Sequence, residues 1–134
     1  MFDHLGIVVR DLQRSTVLYR RILEPLGYTA IEDRSQLNGE GWVVISSGAP
    51  QAPFFVVAAG RPSFWTETSE PSRSPAHLCF RAPSKDAVDR FHAIGLQLGA
   101  ADNGAPGVRR PPFHCAFLID YDGNNIEAGA YVGG

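Results

Sequence analysis

The chain has 134 residues, 44% hydrophobic and 19% charged, with 14 Gly, 10 Pro and a net charge of −2. This is enough chain for one core, too little for two large independent domains, and the composition is that of a folded, turn-rich, soluble protein. There is no basic field for nucleic acid or an anionic membrane, and the longest apolar run, Phe54 to Ala59, falls far short of the roughly 20 residues that span a bilayer. A small molecule is therefore the expected partner, with no nucleic acid and no membrane.

The N-terminus enters a strand directly, Asp3 to Val9, with no charged leader or long apolar segment. Cys79 and Cys115 have apolar neighbours and there is no CxxC, so both are expected to pack rather than pair, and the cytoplasm is the expected compartment. Asp11 caps a helix running to about Leu23. Leu12, Ser15, Leu18, Tyr19, Ile22 and Leu23 form its buried stripe, and Pro25 and Gly27 end it. Tyr28 to Ile31, Trp42 to Ile45 and Pro53 to Ala58 read as three further strands. The segment from Gly60 to Pro75 is a Pro- and Ser-rich loop whose Phe64 and Trp65 could line a pocket or cover the core edge.

The second half repeats the order. His77 to Arg81 is a strand, Ser84 a cap, and Ala87, Val88, Phe91, Ile94 and Leu96 the apolar face of a second helix, with His92 beside it in a solvated or capping role. A loop through Asn103-Gly104-Ala105-Pro106-Gly107 leads to a strand from Phe113 to Ile119. A turn at Asp122-Gly123 then opens a last strand, Asn125 to Tyr131. His4 and His77 begin equivalent strands, 73 residues apart, in the similar runs Asp3-His4-Leu5-Gly6-Ile7-Val8 and Ala76-His77-Leu78-Cys79-Phe80-Arg81. The expected fold is α+β: two βαβββ modules (1–60 and 77–134, joined by a loop at 61–76) in one domain, forming a curved mixed sheet around a pocket with the helices outside. The exposed sheet edges of such modules favour a homodimer.

These runs, the Asn103 to Gly107 segment and Asp122-Gly123-Asn124-Asn125-Ile126-Glu127-Ala128 together resemble the vicinal oxygen chelate superfamily, which includes glyoxalase I, extradiol dioxygenases, fosfomycin-modifying enzymes and bleomycin-resistance proteins. The resemblance covers essentially the whole chain. It implies a divalent metal ion (Zn, Fe, Mn or Ni) held by His4, His77 and Glu127. A fourth position falls on Phe54 or Phe55, neither of which can ligate, so the set resembles the two-histidine-one-carboxylate sites of the dioxygenases more than the four-ligand site of glyoxalase I.

The implied activity is that of a metal-dependent lyase, isomerase or dioxygenase whose small substrate chelates the ion through adjacent oxygens. The alternative is a metal-free binding protein of the bleomycin-resistance type. Strand alternation puts His114 on one face with Ala116 and Leu118; if that face is inward, His114 is the candidate acid or base. Arg109 and Arg110, in a loop near the pocket mouth, could clamp an acidic group, with Phe55 and Trp65 as an apolar wall.

Overall fold

The computed structural model describes residues 1–60 and 76–133. Residue contacts divide them into two units, 1–20 with 28–60 and 21–27 with 76–133. Each unit carries a four-stranded mixed sheet, so the expected α+β organisation in two similar modules is what the chain adopts.

In the first unit the sheet runs β1 (His4–Val8), β4 (Phe54–Ala59), β3 (Gly41–Ser46), β2 (Ala30–Ser35), with β1 parallel to β4 and the other pairs antiparallel. Helix α1 (Leu12–Leu23) starts where expected, because the Asp11 carboxylate accepts the backbone N–H of Arg14 at 3.0 Å and satisfies one of the orphan donors of the first turn. Leu12, Ser15, Leu18, Tyr19, Ile22 and Leu23 are all buried. Each large apolar side chain in such a stripe contributes about 1.5–3 kcal/mol of transfer free energy. The second strand lies later and runs longer than the sequence suggests. Its Glu32, Asp33 and Arg34 belong to an exposed edge, where charged side chains blunt pairing with other chains and mask the strand signal.

In the second unit the order is β5 (His77–Arg81), β8 (Asn125–Tyr131), β7 (Phe113–Ile119), β6 (Ala101–Arg110). Helix α2 (Lys85–Gln97) is capped by Ser84, whose hydroxyl accepts the N–H of Ala87 at 3.1 Å. The segment expected as a loop, Asn103 to Gly107, is part of edge strand β6, whose pairing with β7 shifts register three times. An edge strand tolerates Pro106 because one row of its backbone donors needs no partner, and the bulges absorb the glycines. Arg109 and Arg110 consequently lie on this strand rather than in a loop.

Two further expectations on α2 are corrected. Leu96 is exposed, and His92 is buried, its Nε2 lying 2.9 Å from Asp102 Oδ1. The helix approaches β7 closely at Gly95, where a Cβ would sit 2.3 Å from Leu118 Cδ1. That contact defines the two faces of the sheet. His114, Ala116 and Leu118 point toward α2, while Phe113, Cys115 and Phe117 point away from it.

Candidate functional site

The face of the second sheet away from α2 collects most of the chemistry. In the parallel pair β5/β8, Cys79 is registered with Glu127, and in the antiparallel pair β7/β8, Phe117 is. Side chains therefore alternate so that His77, Cys79 and Arg81 of β5 share that face with Glu127, Gly129 and Tyr131 of β8. His77 Nε2 lies 3.3 Å from Glu127 Oε2; the imidazole is half exposed (53%) and the carboxylate nearly buried (9%). The Phe117 ring stands 6.3 Å from the His77 ring and bounds the pair on one side.

Both cysteines border Glu127. Burial first, then the Glu127 carboxylate, push the Cys79 thiol up to about 12. The Cys115 thiol is raised too, above all by burial, against a lowering contribution from Arg109. Cys79 lies on edge strand β5 and is exposed as a residue, although its thiol is partly enclosed, whereas Cys115 is buried; both are free thiols.

An imidazole nitrogen and a carboxylate oxygen suit a divalent ion. Two donors 2.0–2.2 Å from one ion, at the angles of tetrahedral or octahedral coordination, are roughly 2.8–3.6 Å apart, and the His77–Glu127 spacing of 3.3 Å falls within this. Among the described residues no group of three His, Cys, Asp or Glu side chains is placed to hold a metal, so the expected three-ligand set is represented by this pair. His4, in the first unit, stacks on Phe54 with ring centroids 4.7 Å apart and 9° between planes. Its Nδ1 lies 2.6 Å from Asp3 Oδ1, leaving Nε2 as the nitrogen able to ligate.

The first sheet also locates the counterpart of Glu127. His4 and Gly6 pair with Phe54 and Val56, as His77 and Cys79 pair with Asn125 and Glu127. The residue equivalent to Glu127 is thus Val56, not Phe54 or Phe55. It cannot ligate either, but the offset between the last strands is two residues shorter than that between the first.

The structure separates the other expected site residues. His114 faces α2, where it is buried and its Nε2 lies 2.8 Å from Asp89 Oδ1. It is on the opposite face from Glu127, so the acid or base role expected of it is corrected to a structural one. Phe55 is also corrected. It is buried against Tyr19 of α1, with ring centroids 5.1 Å apart, and is a core residue rather than a pocket wall. Trp65, like Phe64, falls outside the described residues.

Arg109 and Arg110 do face the Glu127 side, but they do different things. The Arg109 guanidinium donates to Cys115 O at 2.7 Å and Ala105 O at 2.6 Å, tying the bulged strand to its neighbour. Arg110 lies over the Phe113 ring, 4.2 Å from its centroid, and 5.8 Å from that of Tyr131. Arg81, at the end of β5, is 4.6 Å from the centre of the same Tyr131 ring. Alternation along β5 and β8 from His77 and Glu127 is the sequence signal that points to Arg81 and Tyr131.

No family model and no curated protein matches the chain. Solved structures do. The chain is similar to a glyoxalase/bleomycin resistance protein from Albidiferax ferrireducens T118 at 27% identity, covering 97% of this chain and 98% of that one with a TM-score of 0.77. Two more distant likenesses concern the fold alone. One is to a glyoxalase/bleomycin resistance protein/dioxygenase family enzyme from Burkholderia phytofirmans PsJN, at 14% identity, coverage of 97% and 98%, and a TM-score of 0.65. The other is to the fosfomycin resistance protein FosX from Mesorhizobium loti, at 17% identity, coverage of 98% and 92%, and a TM-score of 0.64.

Proposed function

Because the chain belongs by fold to the vicinal oxygen chelate superfamily, we propose that it is a metal-dependent enzyme acting on a small molecule that presents two adjacent oxygens to the ion. The observation that carries this reading is the His77–Glu127 pair, two donors of the right chemistry at the right spacing on one sheet face. His4 is the third ligand in this proposal, supplied within one chain or by the partner in a homodimer. The ion, when bound, supplies Lewis acidity toward the substrate oxygens.

The chain's own residues do the rest. His77 binds through Nε2, and Glu127 contributes negative charge from a nearly buried position, where it is little screened. Phe117 bounds one side of the pair and limits access of water there. Three protein ligands leave coordination positions for substrate, as catalytic sites of this kind require. With His114 turned toward α2, no side chain is assigned here as proton carrier.

Metal analysis of protein purified without added ions tests the proposal. About one divalent ion per chain is expected, retained by the wild type and lost in both His77→Ala and Glu127→Gln. Unchanged metal content in the two variants would overturn the assignment. Failure of the wild type to take up Zn, Mn, Fe or Ni would leave the metal-free binding reading in its place. Mixing His4→Ala with His77→Ala protein decides how the set is assembled, since one intact site per mixed dimer forms only when the two histidines come from different chains.

A further inference from the structure

The dipeptide Asn-Gly occurs once in each module, at Asn38-Gly39 and at Asn103-Gly104. In such a pair the asparagine side chain and the next backbone nitrogen can react with each other, because glycine has no Cβ to hinder the approach. The two copies have different surroundings.

Asn38 and Gly39 lie in the turn between β2 and β3, where Gln36, Leu37, Asn38, Gly39 and Glu40 are all exposed. Gly39 has a φ of +85°, and among the described residues a Cβ there would meet nothing within 4 Å. Its N–H donates to Gln36 O at 3.0 Å, an exposed turn hydrogen bond that local opening of the tip releases. Asn38 Oδ1 accepts the N–H of Glu40 at 3.0 Å. That contact draws electron density from Cγ and favours negative charge on Oδ1, the change that attack on the amide carbon produces.

Asn103 and Gly104 lie within β6. Asn103 Nδ2 donates to Asn125 Oδ1 at 3.3 Å, and the Gly104 N–H donates to Asp102 Oδ1 at 2.9 Å. The hydrogen bond from His92 above all, then that from Gly104, hold the Asp102 carboxyl below its usual value. A carboxylate on the N–H opposes loss of the proton that the reaction removes. The backbone is also hemmed in, since a Cβ on Gly104 would lie 3.0 Å from Arg109 Nη2 and 3.1 Å from Phe117 Cδ2.

We propose that Asn38 is a site of spontaneous deamidation, and that the same dipeptide at Asn103 is protected by the strand that holds it. The Gly39 nitrogen gives its proton to hydroxide and attacks Asn38 Cγ. The new C–N bond closes a five-membered succinimide as the Cγ–Nδ2 bond breaks, and Nδ2 leaves as ammonia after taking a proton from water. Water then opens the ring at either carbonyl, giving aspartate or isoaspartate. Both products add a negative charge beside Glu40 and close to the charged edge of β2. Isoaspartate also inserts a methylene into the main chain of the turn that sets Ser35 opposite Gly41.

Peptide mapping by mass spectrometry, on folded protein held at physiological temperature, tests the site. Asn38 is expected to gain one mass unit at least tenfold faster than Asn103, with aspartate and isoaspartate as separable products and a rate that rises with pH. In denaturant, where neither turn nor strand persists, the two sites should convert at similar rates. Asp102→Ala should free the Gly104 N–H and raise the Asn103 rate severalfold while leaving that of Asn38 unchanged. Equal rates in the folded wild type, faster conversion of Asn103, or no conversion of Asn38 over weeks overturns the inference. So does a tenfold preference for Asn38 that persists in denaturant, because the folded surroundings would then not be its cause.

Discussion

The two modules follow one backbone plan and carry different chemistry on it. In each, a first strand starting with histidine pairs in parallel with the last strand, and an aspartate or serine caps the intervening helix. On the face away from its helix the first module presents Phe54, Val56 and Ala58 beside His4, where the second presents Asn125, Glu127 and Gly129 beside His77 and Arg81. Apolar residues in the first set suit packing and stacking; donors and cations in the second suit binding. The two halves share a hydrogen-bonded frame, and at registered positions the polar chemistry lies in the second.

The sharpest way to break that comparison is to exchange a pair of equivalent positions. Ala58 in the first sheet corresponds to Gly129 in the second, each opposite the fifth residue of its parallel partner. A methyl group is accommodated at Ala58. At Gly129 it would collide with the Phe113 ring, whose Cε1 and Cε2 would also lie within 3 Å of the new Cβ. Phe113 is buried and packs against Tyr131 at 4.9 Å between ring centroids, so it has little room to retreat. Gly129→Ala should therefore destabilise the protein by about 1–3 kcal/mol, the cost of overpacking, measured by denaturant unfolding. Truncating the ring in Phe113→Leu should recover part of the difference. A variant as stable as wild type would show that the two positions are interchangeable.

A smaller effect concerns the helix-facing side of the second sheet, where His114 serves structure rather than chemistry. Burial would raise the Asp89 carboxyl, but hydrogen bonds from Lys85 and His114 outweigh it and leave the group below its ordinary value. A carboxyl depressed in the folded state stabilises the protein above its unfolded value, and that contribution is lost as pH falls through the folded one. The contribution of Asp89 should thus be complete above roughly pH 5 and disappear on acidification below roughly pH 4. Wild type should exceed Asp89→Ala by about 1 kcal/mol or less near neutrality, given the partial exposure of the group, and the gap should close in acid. A gap that stays constant between pH 6 and pH 3 would assign the effect to packing.

Where the sequence was readable, a local signal agreed with the tertiary environment. Asp11 and Ser84 were legible as caps because the motif is short, and the alternation of His114, Ala116 and Leu118 was legible because a strand has period two. Which of the two faces met the helix was not, since that depends on Gly95 and Leu118 meeting across 23 residues. For the same reason the sequence suggests a pocket wall at Phe55, which packs on Tyr19, and a solvated residue at His92, which reaches Asp102. One constant offset pointed to Phe54 or Phe55 as the counterpart of Glu127, whereas strand register gives Val56. An insertion of two residues between paired strands is invisible until the pairing is known. The resemblance groups His77 and Glu127 with His4, and the structure sets the first two 3.3 Å apart; the different uses of Arg109 and Arg110 are not legible, because both depend on β6 being a strand.

The smallest expected effect lies at the outer edges, where the modules solve one problem in two ways. Edge strand β6 is broken by register shifts and Pro106, whereas β2 stays regular and carries Glu32, Asp33 and Arg34. Within β2 the Glu32 carboxylate accepts from Arg34 Nε at 2.8 Å and lies 2.6 Å from Nη2, a close pair with both side chains more than half exposed. Such a pair gains little in water and is weakened by salt. Glu32→Gln should consequently change unfolding free energy by no more than about 0.5 kcal/mol at low ionic strength, and by less in molar salt. The three charges together bear on association instead, because they line the outer backbone edge of β2. If the charges act by deterring edge pairing, Glu32→Gln alone will leave light scattering unchanged, and only removal of Asp33 and Arg34 as well will raise it. Loss of more than 1 kcal/mol in the single variant would instead mean that the pair holds β2 in place, and the two edges would then differ in stability as well as in design.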